Sequence, residues 1–438
     1  MLRRSLFASL FFVGSLSFGA GCSGSEAGDT PENKDDDFAS DQATLLDFEF
    51  DGALTTDFSW NDETTIQSQL LYTVGHLNWD NSVGRLDALE LTNIQKKSLG
   101  GDKIEISYHA KLPVAWGSKT NLPKTYELKL PKDVSHEGLE AFVDAHKDRC
   151  VDRGAHDLDA GSMWYYYRPQ SGGCTFQSGE LSTPTAKVTV SKLNTKDKYP
   201  EYHEVWKDDR LEVVAIFGKY EATGGAWDAG VQAFNGFAQK MKETLGPNKL
   251  KTTPANVGDR PAPETKDITF EATLPDGKQV KVTALMVDAI TSVWDGFDER
   301  YEEVAGSADV IAYNGHAGLG QNVRALARMG KWQKQKYQIF FMNGCDTFAY
   351  VDGSLAETRA AINSDDPNGT KYMEFVTNAM PSFFHSMAEA STTIITSLLD
   401  YRSPKTYEQM FKGIDRAEVV LVTGEEDNVF KPGMKIGR

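Results

Sequence analysis

The sequence predicts an α/β protein. A largely parallel sheet flanked by helices fills the C-terminal half, 205–438, and an α+β or mostly β region precedes it over 44–200. Three observations carry this. LEVVAIFGKY (211–220) is a near-continuous apolar run, as a parallel strand covered on both faces requires. From there strand-like and helix-like segments alternate to the C-terminus, the pattern of an α/β layer. Upstream, LLDFEFDG, IEISYHAKLPVAW and TYELKLP alternate apolar and polar residues, as half-buried strands do.

The elements follow in order. Residues 1–21 read as an export signal. Arg3 and Arg4 form a basic start, and Leu6 to Phe18 an apolar stretch too short to span a bilayer. Gly19-Ala20-Gly21-Cys22 then places small residues before a cysteine, as a lipoprotein signal peptidase requires, so Cys22 is the expected site of lipidation. The alternative is an ordinary leader cut near Ala20. Several acyl chains on Cys22 would hold the protein at a membrane. Ser23 resembles the enterobacterial sorting pattern that favours the outer over the inner membrane of the bacterial cell envelope. Residues 22–43 are rich in Ser, Gly, Asp and Glu and read as a disordered tether.

The body has composition enough for more than one domain, with 40% hydrophobic and 11% aromatic residues across the 438-residue chain. A net charge of −17 argues against a nucleic-acid partner. Helices are expected near Glu63–Val74 and His136–His146, and an aromatic core strand at Trp164–Tyr167. His136, Glu137, His146 and His156 are too irregularly spaced for a zinc signature, so no metal and no cofactor is expected. Cys150 and Cys174 flank a Gly-rich aromatic stretch and are expected to pair as a disulfide in an oxidising compartment. That leaves Cys345 as the odd thiol.

In the C-terminal half a helix is expected at Trp227–Leu245 and a Pro- and Lys-rich loop at 246–265. A hairpin should turn at Pro275-Asp276-Gly277, followed by a helix at Ser292–Val304. A strand at Asp309–Tyr313 runs into Asn314-Gly315-His316. A helix at Gln321–Met329 precedes a strand at Tyr337–Met342, which runs into Asn343-Gly344-Cys345. A further strand is expected in KYMEFVTNAM, a helix in SFFHSMAEASTTIITSLLDY carrying His385 as a packing or surface residue, and a closing strand or hairpin in AEVVLVTGEEDNVF. In parallel sheets ligands sit beyond the carboxyl ends of the strands. His316 and Cys345 lie just past two such ends. Imidazole and thiol together supply the base, the nucleophile and the acid that peptide cleavage needs. Taken singly, His316 could be a core histidine and Cys345 a packed thiol.

An apolar strand ending in histidine, a helix, and a second apolar strand ending in a small residue and cysteine resemble the caspase-like cysteine peptidases, with the gingipain branch the nearest. DVIAYNGHAGLG and YQIFFMNGCDTFAY carry the resemblance, with His316 and Cys345 29 positions apart. It covers roughly 205–425. It implies a cysteine endopeptidase acting on peptide or protein substrates, with Cys345 as nucleophile and His316 as general acid/base. The N–H groups of Cys345 and of Ala317 or Gly318 would form the oxyanion hole. Ala317 departs from the Gly usual after the histidine. Gly344 replaces the usual Ala or Cys. Asn343 stands where members that cut after Arg or Lys have Asp, so a basic preference is not implied; Asp346 and Glu221 could supply negative charge. The alternative from a different class is an inactive caspase-like scaffold, a binding or structural envelope lipoprotein using 44–200 as its interaction domain. Neither G-x-S-x-G nor H-E-x-x-H occurs, which argues against serine and metallo hydrolases.

Overall fold

The computed structural model describes residues 38–438, except 58, 291, 292 and 352 and the side chain of Leu319. The leader, Cys22 and the expected tether as far as residue 37 lie outside the described residues. The tether expected up to residue 43 is corrected at its end. Phe38, Ala39 and Ala43 are buried, Ala39 bridges to Val422, and the Ser40 hydroxyl donates to the Val420 carbonyl. Three buried apolar residues and a serine that finds a backbone acceptor on β16 make this stretch part of the fold.

The N-terminal sheet is antiparallel. Its strands are β1 (Thr44–Thr56), β2 (Val83–Gly84), β3 (Glu90–Gly100), β4 (Lys103–Trp116), β5 (Thr125–Glu127) and β8 (Thr185–Val190), in the order β2-β4-β1-β8-β5, with β3 on β4. A small ladder, β6 (Leu130–Pro131) and β7 (Leu181–Ser182), adjoins it. The long β1/β4 pairing runs from Thr44 opposite Trp116 to Thr56 opposite Ile104. Alternation decides its faces: Leu46, Phe48, Phe50 and Leu54 are buried while Glu49 and Asp51 are exposed. Gly52 lacks a side chain because a Cβ there would lie 2.3 Å from the Tyr108 ring. Helices Asp62–Leu70, Tyr72–Asn78 and His136–His146 form where short helices were expected. Ser135 caps the last by accepting from the Gly138 N–H.

Trp164–Tyr167 is not a strand. Met163–Tyr166 is a short helix, with the Met163 N–H donating to Asp159 O. The aromatic content suggested a strand, but the burial is helical: Trp164 and Tyr167, three apart, point into the core, while Tyr165 and Tyr166 are only partly buried. Cys150 and Cys174 form a disulfide that closes the loop containing this helix.

The C-terminal sheet has eight strands. These are β9 (Arg210–Gly218), β10 (Lys251–Thr253), β11 (Asp267–Thr273), β12 (Gln279–Val287), β13 (Val310–Asn314), β14 (Gln338–Asn343), β15 (Met373–Asn378) and β16 (Val420–Gly424). Their spatial order is β10-β11-β12-β9-β13-β14-β15-β16. The five central strands, β12 to β15, are parallel, and the outer ones pair antiparallel. β10 lies inside the expected 246–265 loop and pairs with β11 at the sheet edge. The helix expected at Ser292–Val304 is Phe297–Ala305, entered through Gly296 at φ 89°; residues 291 and 292 are among those not described.

Both faces of this sheet are covered, which explains the unbroken apolar run in β9. Val213, Ala215 and Phe217 face helices Ala229–Leu245 and Phe384–Leu399; Val214 and Ile216 face Phe297–Ala305 and Gln321–Met329. From β9 the chain steps to one side for β12, then crosses to the other for β13. The order of the sheet therefore reverses between β9 and β13, where α/β sheets open a crevice at the strand carboxyl ends. The described residues, from 38 to 438, belong to one compact unit. Phe348, Ala349, Val419 and Leu421 of the C-terminal half belong to the same apolar cluster as β1 and β4.

Arg359 fastens helix Ser354–Ala360 to the sheet. Fully buried, it donates to Gln338 Oε1 at 2.6 Å, to Tyr372 O at 2.8 Å and to Lys336 O. Arg359→Ala leaves these acceptors unpaired and opens a cavity, so it should lower the unfolding free energy by about 3 kcal/mol. A urea titration would show this as a lower midpoint at unchanged slope, and an unchanged midpoint would mean the clamp carries no stability.

Candidate functional site

Three strand ends meet at the switch point in equivalent positions. Tyr220 lies two residues past β9, His316 two past β13 and Cys345 two past β14. β13 and β14 are neighbours, and Asn314 pairs with Asn343 in register. The two asparagine side chains weld the strand ends. Asn343 Nδ2 donates to Asn314 Oδ1 at 2.9 Å, the Ser391 hydroxyl donates to the same oxygen at 2.9 Å, and the Ser382 hydroxyl donates to Asn343 Oδ1 at 2.6 Å. All four side chains are buried, so each bond fills a need that water cannot meet. Asn343 is thus committed to holding the sheet end together.

Beyond the strands the two loops pack back to back. The Gly315 N–H donates to Asn343 O at 3.2 Å. A Cβ on Gly344 would lie 2.8 Å from Gly315 O and 3.3 Å from Ala317 N, so only glycine lets the loops approach this closely. Gly318 sits at φ 59°, in the left-handed region.

The His316 ring is exposed at its edge and packed on its sides. Its Nε2 lies 2.9 Å from Tyr220 O. A carbonyl only accepts, so Nε2 carries the proton and Nδ1 of the neutral ring is a bare base. The rings of Tyr220 and Phe384 flank it at 5.4 Å and 5.2 Å. The His316 carbonyl accepts from the Tyr313 hydroxyl at 3.0 Å and from Asn322 Nδ2, which fixes the backbone.

Cys345 is partly exposed at the cavity floor, and its thiol points to Ser382 O at 3.7 Å. Burial, with the neighbouring Asp346 carboxylate, pushes the thiol up to about 11. At rest the sulfur is therefore a neutral thiol. Asp346 is fully buried at φ 51°. It accepts from Asn78 Nδ2 at 2.8 Å and the Tyr165 hydroxyl at 2.9 Å, and burial raises it to about 6. Arg168 completes this anchor, donating to Asn78 Oδ1 at 3.3 Å and Gly75 O at 2.7 Å. Residues from the N-terminal region thereby hold the backbone beside Cys345.

His316, Ala317, Gly318 and Cys345 line one cavity of about 500 Å³. Its other wall comes from the N-terminal region, chiefly Trp164, Tyr165 and Tyr166, so the tyrosines expected as core are cavity lining. A larger cavity of about 910 Å³ lies beside the same disulfide loop, sharing Asp152 and Arg168 but holding neither His316 nor Cys345. Of the two carboxylates considered for a charged pocket, Asp346 is consumed by its buried bonds and Glu221 is exposed outside the cavity lining. The histidines of the N-terminal region do not gather. His136 pairs with Glu140, His146 lies 3.3 Å from Glu180, and His156 meets the Tyr166 hydroxyl at 3.0 Å. Among the described residues no group of three or more His, Cys, Asp or Glu side chains could hold a metal. His385 is exposed, packed beside Phe383.

Tyr220 was missed by reading the sequence, although its place two residues past an apolar strand matched those of His316 and Cys345. Asn78 and Tyr165 carried no comparable signal. Among known proteins, the chain matches no family model, no curated protein and no solved structure.

Proposed function

We propose that the chain is a caspase-like cysteine endopeptidase of gingipain type, carried on a bacterial envelope lipoprotein anchored through Cys22. The observation that carries this reading is the placement of His316 and Cys345 at equivalent positions past adjacent, in-register parallel strands, lining one cavity at the switch point. The five-stranded parallel centre fits such a core. The Cys150–Cys174 disulfide fits export to an oxidising compartment.

The chemistry follows from the protonation states. A substrate carbonyl entering the cavity approaches the neutral thiol of Cys345. Bare Nδ1 of His316 takes the thiol proton as sulfur attacks the carbonyl carbon, with Tyr220 O steadying the imidazolium through Nε2–H. The developing oxyanion is held by backbone N–H groups of Cys345 and of Ala317 or Gly318. His316 returns the proton to the leaving amine, and water then releases the acyl group from sulfur.

A second reading, an inactive binding scaffold, draws on the thiol's high proton affinity and its partial cover by Tyr165. Incubating the folded protein with an unfolded polypeptide such as reduced casein separates the two. Cleavage by the wild type that vanishes in Cys345→Ala supports the peptidase. No cleavage by either protein, together with iodoacetamide labelling of Cys345 only in denaturant, supports the scaffold.

A further inference from the structure

We infer that the disulfide-closed segment 151–173 is the specificity wall of the cleft, and that it selects an uncharged, preferably aromatic, substrate side chain at the residue donating the scissile carbonyl. The inference rests on the peptidase reading above.

Eight of the fifteen residues lining the Cys345 cavity lie between Cys150 and Cys174. The catalytic sheet supplies one side of the cleft and this loop supplies the other. What the loop presents is aromatic: Trp164, Tyr165 and Tyr166 line the cavity together with Tyr220 and Tyr350. These rings are fixed in place. Tyr165 is tied to Asp346, next to the nucleophile, at 2.9 Å, and Tyr166 to His156 at 3.0 Å. Trp164 packs on Tyr165 at 6.0 Å and on Tyr350 at 6.2 Å.

The charged groups near the cavity already have partners. Arg168 donates to Gly75 O, Tyr165 O, Tyr167 O and Asn78 Oδ1, and Asp152 lies 3.9 Å from its Nε. Asp346 lies beneath the floor with both carboxylate oxygens bonded. Asp152 lines the cavity half-exposed, but it accepts from the Gly154 N–H at 2.8 Å and faces Arg168, so a lysine or arginine side chain entering the cleft would have to compete with Arg168 for it, and an aspartate with Asp152 for Arg168. Burying an unpaired charge against rings is costly, whereas an apolar side chain gains by leaving water. In an apolar pocket a single methylene is already worth about 10- to 200-fold.

The test uses four peptidyl acyloxymethyl ketones identical except at the residue bearing the reacting ketone: Phe, Leu, Asp or Arg. Sulfur forms a thioether to the methylene carbon, the C–O bond breaks, and the carboxylate departs. Second-order rates of Cys345 modification are read by mass spectrometry on the folded wild type and on Tyr166→Asp. The wild type should react with the Phe and Leu ketones at least about tenfold faster than with Asp or Arg. In Tyr166→Asp the ratio of Arg to Phe rates should rise at least about tenfold, a gain that a collapsed fold could not produce. Fastest reaction with Arg or Asp in the wild type, or an unaltered ranking in Tyr166→Asp, would overturn the inference. Should the ketones fail while iodoacetamide still labels Cys345 in a His316-dependent way, the specificity falls and the peptidase reading stands. Failure of every reagent would remove both.

Discussion

Replacing His316 by alanine is expected to slow alkylation of Cys345 at pH 7 by at least about 100-fold, the lower range of what a positioned acid/base contributes. The thiol is held near 11 by burial and by Asp346. With that value, only about one molecule in 10⁴ carries a thiolate at pH 7. Rapid reaction near neutrality therefore needs a base that takes the proton as the bond forms, and His316 Nδ1 is the candidate. The pH profile distinguishes this from a general loss of structure. Without the imidazole, the rate should climb about tenfold per pH unit until the thiol itself ionises. With it, the rate should depend less steeply on pH, because proton removal no longer waits on free ionisation of the thiol. The exposed edge of His316 makes the alanine variant structurally mild. Parallel steep profiles in both proteins would show that His316 and Cys345 do not work together.

How far the sequence carried this site depends on where each residue gets its partners. The β9, β13 and β14 strands were legible because two covered faces demand apolar residues at every position, which leaves a local record. His316 and Cys345 were legible because strand ends can be counted from those runs, and Gly344 because a small residue precedes the cysteine. What could not be read was contact across the chain. Asp346 meets Asn78 from 268 positions away and Tyr165 from 181, and neither pairing alters local periodicity. The helix at Met163–Tyr166 was misread because aromatic propensity suggests a strand, while a disulfide-closed loop and the burial of Trp164 and Tyr167 dictate a turn of helix. Phe38 and Ala39 were assigned to a tether because their neighbours are acidic and polar; only the edge of β16 and the loop at Asn194 give them a place to bind.

Raising the pH from 5 to 8 is expected to lower the thermal midpoint by a few degrees, the reverse of acid denaturation driven by paired carboxylates. The cause is a buried group of three carboxyls with one ammonium among them. Glu374 is fully buried in β15, accepts from the Tyr337 and Tyr407 hydroxyls and lies 3.6 Å from Lys198. Lys198 also donates to Gly424 O and, at 2.9 Å, to Glu425 O. Glu425 just beyond β16 and Glu201, which lies 2.9 Å from His203, complete the group. Burial raises all three carboxyls, most strongly Glu374 and Glu425, and the carboxylates raise one another. A carboxyl raised in the folded state binds its proton more tightly there than in the unfolded chain. Its contribution is most favourable at acidic pH and is lost as pH climbs from the ordinary carboxyl range through the folded value. For Glu374, raised to about 7, the loss is on the order of 3 kcal/mol. Glu425→Gln removes one of the competing charges, so its midpoint should fall less steeply over the same interval. A wild-type midpoint that holds or rises from pH 5 to 8 would mean that Lys198 and the two tyrosines stabilise the ionised cluster. An equal slope in Glu425→Gln would place the pH dependence elsewhere. β15, which carries Glu374 near its start, lies between β14 and the edge strand β16; Ser382, whose carbonyl accepts from the Cys345 thiol, follows the opposite end of β15 and is itself buried.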